Sequence, residues 1–164
     1  MNVLHHTFKF RTAGEWQDVS TIELFKDKKV VLFGLPGAFT PTCSSKQLPG
    51  YEESYNKFKE LGIDEVYCIS VNDAFVMNAW ADAQGIEKVK MIPDGCGTFT
   101  RSLGMLVNKP KQGFGLRSWR YSMIIDNEII TYLAEEPGIN NFSNDSDPYN
   151  ESTPEKIISY LEKE

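Results

Sequence analysis

Apolar positions fall into a succession of short blocks separated by polar turns. Residues 30–35, Val-Val-Leu-Phe-Gly-Leu, form a nearly unbroken apolar run of strand length, as a strand buried on both faces of a parallel sheet requires. Tyr51, Tyr55, Phe58 and Leu61 then recur at helical spacing, with Gly62 as the stop. Pro49 breaks any single straight helix over residues 42–61, so a kink there, or two helices meeting there, is expected. Residues 66–71 read as a second strand. Asn72 or Asp73 can cap a helix that places Val76, Ala79, Trp80 and Ala83 on one face and ends near Gly85. A third strand over 89–92 stops at Pro93, and a short helix spans 98–103. "NKPKQGFG" reads as a polar loop. Residues 119–125 and 129–133 read as a hairpin turning at Asp126-Asn127. Residues 135–153, acidic and rich in Asn, Ser and Asp, read as a long surface loop. A last helix turns Ile157, Ile158 and Leu161 inward; either Thr153 caps it with Pro154 at its start, or Ser152 caps it with Glu155 closing a capping box.

The order strand, helix, strand, helix, strand, hairpin, helix predicts parallel neighbouring strands with helices on their faces and a mixed sheet where the hairpin joins. That is the outline of a thioredoxin-like α/β fold, with a mixed central sheet flanked by helices. No repeat or linker divides residues 1–164, and one domain is expected.

Composition narrows the function classes. A net charge of −6 and the lack of a basic stripe argue against nucleic acid. The apolar runs stay far below the roughly 18 residues that suggest a membrane span, and the first residues resemble no signal or presequence, so a cytoplasmic protein is expected. His5 and His6, the only histidines, have no partners at zinc-ligand spacing; no metal is expected, and the pair reads as solvated. The three cysteines, Cys43, Cys68 and Cys96, form no CxxC pair and read as free thiols. Cys68, inside an apolar strand, reads as core; Cys96, in the turn "DGCG", as an exposed, uninvolved thiol.

Cys43 differs from both. It stands where the first strand hands over to a helix, at the end of the sheet where open α/β folds carry their sites. A helix N-terminus offers unpaired N–H groups and the positive end of the dipole, which favours a thiolate. Thr40 is three residues earlier, and Pro36 and Pro41 stiffen the turn.

The segment "PGAFTPTCS" resembles the active-site pattern Pro-x-x-x-Thr-x-x-Cys of the peroxiredoxins, with Pro36, Thr40 and Cys43 in its three defined positions. The wider sequence is similar to the peroxiredoxin-5 type, especially the peroxidase half of bacterial peroxiredoxin–glutaredoxin hybrids. The likeness continues through "ISVNDAFVMNAWA", "DGCGTFTRSLGM" and "SWRYSMIID". The resemblance implies a peroxidase for hydrogen peroxide and organic hydroperoxides. Cys43 would become a sulfenic acid, Thr40 would bind the peroxide and hold the sulfur, and Pro36 would shield the pocket. The family's active-site arginine matches Arg120, which would stabilise the thiolate and the leaving oxygen. Arg117 is its rival; residues three apart in an extended stretch point to opposite faces, so one of the two is expected at Cys43.

Members of this type that carry a resolving cysteine have it late in the chain. Here "GINNFSNDSDPYNESTPEK" has none. The expectation is a one-cysteine cycle with no bound cofactor, resolved by glutathione and glutaredoxin, or else by thioredoxin. Cys68 or Cys96 could act instead only if its Cα came within about 7 Å of that of Cys43. A homodimer is implied, with Phe39 and Trp80 as contact candidates; both read equally as core, and the apolar helical stripe that carries Trp80 favours core for it. A disulfide oxidoreductase would need the missing CxxC. A non-catalytic redox sensor would keep an oxidisable Cys43 without turnover.

Overall fold

Val31 and Phe33 of β3 (Lys29–Gly34) face one apolar cluster and Val30 and Leu32 face another, and all four are fully buried. That alternation defines a sheet covered on both sides. The computed structural model describes residues 1–164. Around β3 lie β4 (Glu65–Ser70) and β5 (Lys90–Pro93), both parallel to it, and β8 (Tyr121–Asp126) and β9 (Ile129–Glu135), an antiparallel hairpin. The order is β5-β4-β3-β8-β9, a mixed sheet with a thioredoxin-like α/β topology. Pro93 belongs to β5, an edge strand that can do without one ladder donor.

One face packs α2 (Leu48–Glu60), α3 (Ala74–Ala83) and α5 (Pro154–Glu162) through Leu48, Tyr51, Phe58, Met77, Trp80 and Ile157. The other face packs α1 (Thr21–Phe25), α4 (Thr98–Ser102) and strand β1 (Thr7–Thr12) through Leu24, Phe25, Phe99 and Phe8. Asp73 caps α3 by accepting the Val76 N–H at 2.9 Å. Thr153 caps α5, because the Ser152 hydroxyl is engaged on Glu136 at 2.6 Å. No helix is long and apolar enough to cross a membrane.

Three features depart from the sequence expectation. β1 and β2 (Glu15–Ser20) make an N-terminal antiparallel hairpin where no strands were expected. "NKPKQGFG" is a second hairpin: β6 (Leu106–Lys109) and β7 (Gly115–Ser118) take up its two ends, and only its middle is a turn. His6 is not fully solvated; its ring lies 4.6 Å from that of Phe8 and is half-buried.

Candidate active site

Pro49 falls at the start of α2, where a missing N–H does no harm. The residues before it do not simply extend the helix. Cys43–Gln47 form one π-helical turn, in which the Leu48 N–H reaches back to the Cys43 carbonyl. Such a widened turn inserts a residue into the helical ladder and re-aims the side chains it carries. Cys43, the first of them, is 0% exposed and packs in the cluster of Phe33, Leu35 and Tyr51.

The loop joining β3 to this turn is held from several sides. The Ala38 N–H donates to Asn72 Oδ1 at 3.0 Å, and Ser70 Oγ donates to the same oxygen at 2.6 Å. Asn72 therefore ties the loop to the end of β4 and leaves helix capping to Asp73. Arg117 Nη1 donates to the Pro36 carbonyl at 3.1 Å. Thr40 Oγ1 donates to the Gly37 carbonyl at 2.7 Å. Phe39 sits at φ 65°, a left-handed conformation that a bulky residue adopts only when its surroundings enforce it, and its ring is 56% exposed. Behind the thiol, Trp80 Nε1 donates to Ser44 Oγ at 2.9 Å; Trp80 is fully buried, so it is core and not a contact surface.

Arg120 reaches Cys43 from the residue preceding β8. Its Nη1 lies 3.4 Å from the sulfur and also donates to Gln47 Oε1, while Nη2 donates to Asp147 Oδ1 at 2.6 Å. The guanidinium is 2% exposed and lies over the Tyr149 ring at 5.7 Å. Burial works against its charge, yet Cys43 and then Asp147 outweigh it, and its pKa stands above the ordinary arginine value. Arg117 shows the opposite balance: burial lowers it, and Cys43 offsets only part. The two arginines do not face away from each other as an extended stretch would require. β7 ends at Ser118 and β8 starts at Tyr121, and across that break both converge on the Cys43 loop. Only Arg120 contacts the sulfur; Arg117 holds the backbone of Pro36.

A pocket of about 130 Å³ opens beside this group, lined by Pro36, Thr40, Pro41, Phe114, Arg120 and Asp147 with Lys109 and Gln112. The sulfur lies behind its wall, joined to it through Arg120. Pro36, Thr40, Cys43 and Arg120, named from the sequence, thus come together. Gln47, Asn72 and Asp147 were not foreseen as site residues, and Arg117, expected only as the rival of Arg120 at Cys43, serves the site by holding the Pro36 backbone. Gln47, four residues after Cys43 on the same helical face, had a readable signal; Asp147 had none.

The other two thiols stand apart. Cys68, in β4 beside Phe33, is fully buried; burial first, and then the nearby Cys43, push its pKa well up. Cys96 is exposed and lines a separate cleft of about 540 Å³ with His6, Phe8, Trp16 and Asp94. None of the groups that converge on Cys43 reaches that cleft.

A thiol at the C-terminal end of a central strand, buried against an arginine in a thioredoxin-like sheet, defines a thiol-based redox protein. The Redoxin family pattern matches residues 5–150. A peroxiredoxin of Rhizobium etli is 53% identical over 146 residues, 89% of this chain and 81% of that protein. The hybrid peroxiredoxin hyPrx5 of Haemophilus influenzae is 47% identical over 94% of this chain, which spans 62% of its length. The crystal structure of the Plasmodium falciparum antioxidant protein, a 1-Cys peroxiredoxin, superposes with a TM-score of 0.94 at 36% identity, covering 100% of this chain and 99% of that one. The chain belongs to the peroxiredoxins, thiol peroxidases of the Redoxin family.

Proposed function

We propose that residues 1–164 form one peroxiredoxin domain that reduces hydrogen peroxide and organic hydroperoxides through Cys43 by a one-cysteine cycle. The contact between Arg120 Nη1 and Cys43 Sγ, 3.4 Å long and sealed from solvent, carries this reading. A guanidinium there stabilises the thiolate and the negative charge that develops on the departing oxygen.

The thiolate attacks one peroxide oxygen. The S–O bond forms as the O–O bond breaks, and the leaving hydroxide or alkoxide takes a proton to become water or alcohol. Cys43 is left as a sulfenic acid. Pro36 shields the pocket, and Thr40, its hydroxyl proton already given to Gly37, presents oxygen lone pairs toward the peroxide's O–H. One external thiol then displaces water from the sulfenic acid to form a mixed disulfide. A second thiol releases Cys43, leaving an oxidised thiol pair.

Two observations favour an external thiol. Cys68 is buried and its pKa is raised, so it stays a protonated, poorly nucleophilic thiol. Cys96 lines a different cleft. Glutathione with glutaredoxin is the first choice of reductant, supported by the likeness to the hybrid relative; thioredoxin is the second. A cytoplasmic homodimer contacting through the face that bears exposed Phe39 completes the reading. Peroxide turnover followed with glutathione plus glutaredoxin, and separately with thioredoxin, tests it. Turnover lost in Cys43→Ser and retained without Cys68 and Cys96 is expected; a Cys43–Cys68 or Cys43–Cys96 disulfide would replace the external step.

A further inference from the structure

The loop from β9 to α5 is anchored at both ends and aimed at the site between them. Glu136, fully buried, accepts the backbone N–H groups of Asn150, Glu151 and Ser152 together with the Ser152 hydroxyl. Asp145 pairs with Lys109 at 3.3 Å, both side chains nearly inaccessible, and accepts the Asp147 N–H at 2.9 Å. Between these anchors Asp147 takes φ 52°, a left-handed conformation that Asp tolerates better than most residues and that the surroundings must maintain. The consequence is that its carboxylate meets Arg120 Nη2 at 2.6 Å.

We infer that Asp147 is a positioning residue for peroxide reduction, locking the Arg120 guanidinium plane so that its other Nη stays on Cys43. This rests on the peroxidase reading above. The arginine fork is gripped at two corners: Gln47 and Cys43 take Nη1, and Asp147 takes Nη2. Nε is left buried and without a protein acceptor. A planar fork held at both Nη groups cannot swing, which a long flexible side chain otherwise would. Orientation, not charge, is the contribution. A carboxylate beside Arg120 offsets part of the positive charge that favours the thiolate, so charge alone would make Asp147 a disadvantage.

These two effects have opposite signs and can be separated. In the full chain, the Cys43 peptide is followed by mass spectrometry during reaction with hydrogen peroxide and, separately, with iodoacetamide. The comparison uses wild type, Asp147→Ala and Asp147→Asn. Peroxide reaction depends on arginine geometry, whereas alkylation depends on thiolate and access. Asp147→Ala is expected to slow the peroxide reaction about tenfold or more while alkylation stays equal or rises. Asp147→Asn, which keeps an acceptor oxygen and tolerates the left-handed backbone, is expected to recover part of the peroxide rate. A peroxide rate in Asp147→Ala within about twofold of wild type overturns the inference. So do both rates falling together, which would mark a collapsed loop. If wild-type Cys43 itself reacts with peroxide no faster than free cysteine, the peroxidase reading fails and takes this inference with it.

Discussion

Arg120 and Cys43 are 2% and 0% exposed, and their contact at 3.4 Å is made where almost no water can screen it. The Coulomb attraction is stronger in such a place than on a surface but is offset by the cost of taking both groups out of water, so the large effect comes from removing one partner, which leaves the others stranded. Arg120→Ala removes the donor and abandons Gln47 and Asp147 together. The expected result is a fall of about a hundredfold or more in the rate of peroxide reduction, read by stopped-flow fluorescence. Arg120→Lys keeps the charge but not the fork and is expected to recover only a minor part.

The one-cysteine cycle makes the two remaining thiols dispensable. The double variant Cys68→Ala, Cys96→Ser is expected to keep turnover with an external thiol within about twofold of wild type. Coupled peroxide consumption measures it. A fall to the level of Cys43→Ser would place the resolving thiol inside this chain.

Asp147 gives the fold an acid-sensitive contact. Burial raises its carboxyl, but Arg120, with a smaller contribution from Thr42, overrides that and holds it below the usual carboxylate value. A depressed folded-state pKa contributes stability that is present above the unfolded value of about 3.9 and is lost as pH falls through the folded value. The side chain is 47% exposed, so solvent screens the contribution and the amount is modest. Urea unfolding of wild type and Asp147→Asn is expected to differ at about pH 5, above the unfolded value, and to converge as pH falls below it through the folded value. A constant difference across that range would contradict it.

Gly34 and Tyr121 give a test of the core beneath the site. They are partners across β3 and β8, and a Cβ on Gly34 would come within 2.3 Å of Tyr121 Cε1. Gly34→Ala is expected to lower stability by about 1–3 kcal/mol in urea unfolding. The Tyr121 hydroxyl is buried with no partner, and burial, with Asp94 and Cys68 adding to it, pushes its pKa far up. Tyr121→Phe, which removes an unsatisfied polar group without changing ring volume, is therefore expected to be neutral or stabilising.

The central strands and helices were readable because each buries a whole face, so period and length speak for them. β3, β4 and β8 are nearly continuous apolar runs, and α5 carries both an apolar stripe and a side-chain cap; α3 has the expected cap, but it buries Ala74, Met77 and Trp80, and Ala79 and Ala83 of the expected stripe are exposed. The two small hairpins were not readable for the same reason in reverse. β2 buries almost nothing, so its sequence "EWQDVS" carries no alternation. β6 does alternate, but one of its two buried positions is Lys109, whose charge is acceptable there only because Asp145 lies against it from a loop 36 residues away. The site divides the same way. Pro36, Thr40 and Cys43 fall within eight residues of sequence and announce themselves. Choosing Arg120 over Arg117 drew on its neighbours, and the opposite-face argument did not anticipate that the strand is interrupted between them. Asp147 reaches Arg120 through a loop whose path is set by Glu136 and Asp145, and no local pattern encodes that path.

The most direct test of Cys43 as the peroxide-reactive thiol is peptide mass mapping after one equivalent of hydrogen peroxide, quenched early, with and without glutathione. Oxidation confined to Cys43, appearing as a glutathione adduct when glutathione is present, is the expected result. Equal oxidation of Cys43, Cys68 and Cys96 would contradict the account.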